Sequence, residues 1–152
     1  MFGGGNLKIQ INEDSIYKDI ELIINCKQTD EKVLKIIAML RVLDLKLTGI
    51  KDNQTYILDI SKILYIDTVD KRTFFYTEDD VYETPLKLYE LEEQLEASDF
   101  FRAGKSTIIN FNQIKSIMPD LGGKLLVTMN NNEKLFVSRQ YAFTIKNKLG
   151  VI

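Results

Sequence analysis

From Leu45 to the C-terminus, short runs of β-branched and aromatic residues alternate at regular intervals with turn-forming stretches: KDNQ, DKRT, TEDD, DLGGK and MNNNEK. Asn, Asp and Gly reverse a chain readily, through side-chain bonds to the local backbone or through the absence of a Cβ. Runs this short and this evenly spaced predict a compact, mostly β domain over residues 45–152 and leave room for few helices. Two are expected. In LKLYELEEQLEAS, Leu88, Leu91 and Leu95 share one helical face, and Thr84-Pro85 introduces the segment. A last helix should run from about Arg139 to Lys148, capped by Ser138, with Tyr141, Ile145 and Leu149 facing the core.

Residues 1–44 have a different texture. Leu7, Ile9 and Ile11 alternate with Lys8, Gln10 and Asn12, and Ile20, Leu22, Ile24 and Cys26 repeat the pattern. Two amphipathic strands, paired as a hairpin or small sheet, are expected. Thr29 should cap a helix with Asp30 and Glu31 in its first turn and Val33, Ile37 and Leu40 along its apolar stripe. The chain thus divides into a small α+β N-terminal unit, 1–44, and the β-rich domain, 45–152.

The 152 residues include no histidine and a single cysteine. Serine–histidine and cysteine–histidine catalysis, and zinc sites built on histidine or several cysteines, are therefore outside the reach of one chain. Cys26 ends an alternating apolar run and is expected as a small core residue. The carboxylates fall in turns and on one helix face rather than around a glycine-framed pocket. No catalytic residue, metal ligand, cofactor or small-molecule substrate is expected, and the chain is read as a non-enzyme. No uncharged apolar run approaches the ~18 residues that a membrane span needs, and MFGGGNLKIQ lacks the charged-then-apolar order of a secretory leader. A cytoplasmic location is the expectation.

Formal charge is −2 overall but uneven: residues 1–55 carry 8 basic and 8 acidic groups, 56–99 carry 4 and 12, and 100–152 carry 8 and 2. A basic C-terminal third suits an anionic partner, and the acidic middle could orient the molecule upon it. Within that third, Gly104-Lys105-Ser106-Thr107 has the ending of a nucleotide phosphate loop. The loop needs another glycine five residues earlier, where Asp99 would repel the anion, and it should open a helix, whereas Thr107 to Asn110 reads as a strand. Lys105 is better placed to meet a different phosphate or a base edge.

Read in order, ILYIDTVDKRTFFYT, LYELEEQLEASDFFRAGKSTIINFNQIKSI and LFVSRQYAFTIKNKLG resemble the LytTR family of DNA-binding domains from about Lys46 to Leu149. The most specific matches are Phe-Phe-Arg followed by Ser106, the Ile109-Asn110 pair, the Ile114 and Ile117 spacing, and Val137-Ser138-Arg139 with Tyr141. The resemblance implies antiparallel strands in stacked small sheets, and a transcriptional regulator that reads successive major grooves of double-stranded DNA, at promoter repeats, with loop side chains. Two positions depart from the family pattern: Gly104 replaces a usual histidine, and Gln140 a frequent second arginine.

Three loop tips are the expected reading surface. Lys105 and Arg139 are assigned to base edges, with Lys71 and Arg72 in support. Arg102 is assigned to the DNA backbone, and Ser106 and Gln140 complete the set. Arg139 stands in the first turn of its helix, where a positive charge opposes the helix dipole unless a phosphate is bound. The N-terminal unit is too short to be a phosphoacceptor receiver. Leu7, Ile9 and Ile11, at an expected sheet edge, suggest a homodimer, and similar short family members imply a regulatory membrane-protein partner. The alternative is an adaptor that keeps the fold, has lost base readout and acts through protein contacts.

Overall fold

The computed structural model describes residues 7–41 and 46–150. In chain order these are α1 (Glu31–Arg41), β1 (Lys46–Lys51), β2 (Gln54–Asp59), β3 (Tyr65–Val69), β4 (Arg72–Tyr76) and β5 (Val81–Thr84). There follow α2 (Leu88–Gln94), β6 (Phe100–Arg102), β7 (Thr107–Asn110), β8 (Ile114–Pro119), β9 (Leu125–Met129), β10 (Lys134–Val137) and α3 (Arg139–Leu149). The first seven strands form one sheet in the order β2-β1-β5-β4-β3-β7-β6, and the last three a second sheet in the order β10-β9-β8. All pairings are antiparallel. The mostly β, stacked-sheet architecture anticipated above is the one observed.

Strand alternation explains the layering. Ile66 lies opposite Phe75 on one side and Ile108 on the other, so these three share a face. That face packs beneath α2, whose Leu88 and Leu91 are buried with them together with the C-cap residue Leu95. One residue earlier, Tyr65 lies opposite Tyr76 and Ile109 and belongs to the other face. There Tyr65 and Ile109 pack against Leu125 and Val127 of β9 and Ile145 of α3. Tyr65 and Tyr76 stack with ring centroids 4.4 Å apart, and burial raises the Tyr65 phenol well above its ordinary range, with Glu133 adding to the effect. At its centre the large sheet is thus buried on both faces, and the smaller sheet covers only one of them, while the edge strand β2 stays largely exposed.

Asn110 shows why an amide stands at the end of β7. It is buried, its Nδ2 donates to the Ile63 carbonyl at 2.9 Å, and its Oδ1 accepts from the Asn112 N–H at 3.1 Å. An apolar replacement would leave a buried backbone carbonyl without its donor.

Four expectations need correction. Residues 7–26 form no strand ladder; they are extended and exposed, with a single turn in which the Tyr17 N–H donates to the Asp14 carbonyl at 3.2 Å. The period-two pattern was real, but a pattern needs a partner strand to become a sheet. Cys26, at its end, is therefore exposed rather than part of the core. The N-cap of α1 is Asp30, not Thr29, since the Asp30 carboxylate accepts from the Val33 N–H at 3.0 Å. In α3, Ile145 is buried, but Leu149 reaches the last exposed turn before Gly150, whose positive φ of 72° ends the helix.

Candidate nucleic-acid interface

The expected loop tips come from three separate hairpins or joints, and backbone hydrogen bonds bring them to one end of the molecule. At the centre is the β6–β7 hairpin loop, residues 103–106, closed by the Ala103 N–H donating to the Thr107 carbonyl at 2.9 Å. On one side, the Ser106 carbonyl accepts from the Thr68 N–H at 2.9 Å, which ties the loop to β3 just before the β3–β4 turn. On the other, the Ala103 carbonyl accepts from the Ser138 N–H at 2.9 Å, which ties it to the start of α3. Lys71, Lys105 and Arg139 therefore stand on adjoining segments of one rim.

Lys105 and Ser106 are exposed, and Lys105 forms no ion pair among the described residues. A Cβ built on Gly104 meets nothing within 4 Å, so the loop presents open space where the family pattern carries a ring. Lys71 is exposed at a two-residue turn in which Asp70 and Lys71 take φ of 52° and 65°. Such a turn matches the twist of the strands it joins, and it directs Lys71 off the hairpin tip.

Arg72 is exposed but engaged: Nε and Nη2 donate to the two Glu83 carboxylate oxygens at 3.0 and 2.6 Å. Those bonds hold the Glu83 carboxyl below its ordinary range. The same guanidinium lies 5.3 Å from the centroid of the Phe74 ring. Arg102 is held more completely. Nε donates to the Gly104 carbonyl at 2.6 Å, Nη2 to the Lys105 carbonyl at 2.6 Å and Nη1 to Glu92 at 2.7 Å, and only 18% of the side chain is accessible. In this arrangement Arg102 clamps the backbone of the loop instead of facing outward.

Arg139 and Gln140 are exposed in the first turn of α3. Ser138 occupies the N-cap position, yet its side chain makes no capping bond, and its carbonyl accepts from the Ala142 N–H at 2.9 Å. The first-turn amides of α3 thus keep their positive end at the same rim as Arg139. The Arg139 stem lies against Gly123, where an added Cβ would meet its Cγ and Cδ at 3.0 Å. Gly123 also has a φ of +80°. The DLGGK turn is therefore a prop for Arg139, a role that the turn signal alone did not suggest.

One basic residue was overlooked. Lys124 begins the approach to β9 at this same end, with its ammonium 5.1 Å from the centroid of Phe136. The remaining basic residues of the C-terminal third are dispersed: Lys115 lies in β8, Lys134 opens β10, and Lys146 and Lys148 close α3, away from Arg139. Lys148 pairs with Asp99 at 3.0 Å and, with Asn112, holds that carboxyl below its usual range. The charge excess of this third is thus not one patch. Among the described residues, no group of three His, Cys, Asp or Glu side chains could hold a metal, and no helix is long and apolar enough to cross a membrane.

Residues 53–150 match the model of the LytTr DNA-binding domain. The fold is similar to the solved LytTr DNA-binding domain of a protein described as a methyl-accepting/DNA response regulator from Bacillus cereus, with a TM-score of 0.65 and 31% identity, covering 69% of this chain and 96% of that one. Along nearly the whole length there is similarity to proteins named uncharacterized HTH-type transcriptional regulators of Staphylococcus aureus. The relative in strain NCTC 8325 is 28% identical over 96% of this chain and 97% of its own. That in the bovine strain RF122 is 29% identical over the same shares. Although those names include helix-turn-helix, no two helices are consecutive elements among the described residues.

Proposed function

The chain belongs to the LytTR family of DNA-binding domains, and from that premise we propose how it works as a DNA-binding transcription regulator. Sequence is read in successive major grooves by side chains on the rim formed by the β3–β4 turn, the β6–β7 loop and the start of α3. Lys105 and Arg139 meet base edges, and Lys71, Ser106, Gln140 and Lys124 support them at edges or phosphates. Arg72 joins them only by leaving Glu83. Arg102 is a positioning residue that fixes the loop carrying Lys105. The observation that carries this reading is the double tie of the 103–106 loop to Thr68 and Ser138, which sets three cationic tips side by side.

The regulator acts in the cytoplasm, without enzymatic chemistry, as a homodimer on repeated half-sites. The resemblance supports a membrane-protein partner as the source of its input. Selection of bound sites from random duplex DNA tests the reading. A repeated short motif should be enriched, and with ~4–6 phosphates contacted, log K against log salt should fall with a slope of roughly −4 to −5. Absence of any enriched motif, together with a flat salt response, would favour the adaptor that has lost base readout.

A further inference from the structure

Between Leu7 and Ile24, nine large apolar side chains are exposed, from 39% for Ile24 to 94% for Ile20. Together they present on the order of 1,000 Å² of apolar surface, more than the ~800 Å² per partner that a standard protein interface buries. Stable monomers rarely leave so much uncovered. The backbone is equally unsatisfied, because residues 7–11 and 20–26 run extended on either side of the Asp14–Tyr17 turn without a ladder between them. Extended chain with alternating apolar residues seeks a strand partner.

Charge indicates which strand fits. Residues 7–12 carry Lys8 alone, and residues 19–26 carry Asp19 and Glu21 alone. Two first stretches, or two second stretches, would set like charges together; a first against a second sets opposite charges together. Resting on the dimeric part of the function above, we propose that a second copy of this chain covers the N-terminal arms. Residues 7–11 of one copy pair antiparallel with residues 20–26 of the other. The two-fold axis repeats the contact, so two chains share two symmetry-related, two-stranded ladders.

Sedimentation of the full chain at up to tens of micromolar should show a dimer, and the double variant Ile9→Glu, Leu22→Glu should be a monomer that keeps the cooperative unfolding of the β domain. A spin label on Cys26, the lone cysteine, should give a defined intermolecular distance in the parent and none in the variant. The crosswise order is tested by charge reversal. Lys8→Glu alone and Asp19→Lys, Glu21→Lys together should each weaken dimerisation severalfold, and mixing the two proteins should restore it as a heterodimer. Binding to a duplex with a single half-site should be unaffected in every variant, which separates failure of the arms from failure of DNA recognition. A monomeric parent, a dimer that survives the double variant, or a mixture no tighter than its components would overturn the proposal.

Discussion

The Arg102 guanidinium donates through Nη2 to the main-chain carbonyl of Lys105 at 2.6 Å, three residues further along the chain. With its Nε on Gly104 and Nη1 on Glu92, the fork has become part of the loop's scaffold. Arg102→Ala should therefore reduce affinity for the preferred site by about 1–2 kcal/mol, through loss of loop order, and leave the salt slope unchanged. Arg102→Lys should not rescue it, because an ammonium cannot span two carbonyls and a carboxylate in one plane. Anisotropy titrations across salt concentrations check this. A slope shallower by about one unit would return Arg102 to the phosphate contacts.

Lys105→Ala and Arg139→Ala should each weaken binding to the preferred site by about 1–3 kcal/mol while leaving weak nonspecific binding largely intact. Folding should be unchanged, since both side chains are exposed. Equal losses on specific and scrambled duplexes would mean that the rim is a general electrostatic patch.

Glu83 and Arg72 make a testable pH effect. The arginine bonds depress the Glu83 carboxyl in the folded state, so their stabilisation is present above the unfolded carboxyl's range, near pH ~4.3, and is lost as pH falls through the lower folded value. The pair lies at the surface, where solvent screens it, so its contribution is small. Urea midpoints of the parent and Glu83→Gln should differ slightly at pH 7 and converge in acid. The same variant releases Arg72 and should steepen the salt slope of DNA binding; an unchanged slope would place Arg72 off the DNA.

Two glycines should behave oppositely. A Cβ at Gly49 would lie 2.6 Å from Tyr82 Cβ and 2.8 Å from Leu58 Cδ1, whereas one at Gly104 meets nothing. Gly49→Ala should cost about 1–3 kcal/mol by overpacking, and Gly104→Ala should be neutral in thermal unfolding.

The sequence made the β domain readable because its turns are chemically explicit and its strands alternate cleanly, as with Ile66 and Tyr65 on opposite faces. The loop tips were readable for the same reason. Hydrogen-bond engagement was not. Nothing in residue order distinguishes Lys105, which faces solvent, from Arg102, whose donors turn back on carbonyls two and three residues away. Gly123 beneath Arg139, and Lys124 at the same rim, depend on how the second sheet stacks on the first. The N-terminal pattern was legible as alternation, but alternation does not say whether the partner strand lies in the same chain.

Arg102 grips carbonyl oxygens, which every amino acid possesses, and leaves the side chains at 104 to 106 out of its bonds. Gly104 adds vacant volume at the centre of that span. The consequence is evolutionary: on the proposed reading, substitutions at these positions would change which DNA is bound, with little effect on folding. A regulator built this way can diverge after gene duplication by exchanging a few fingertips on an unchanged hand.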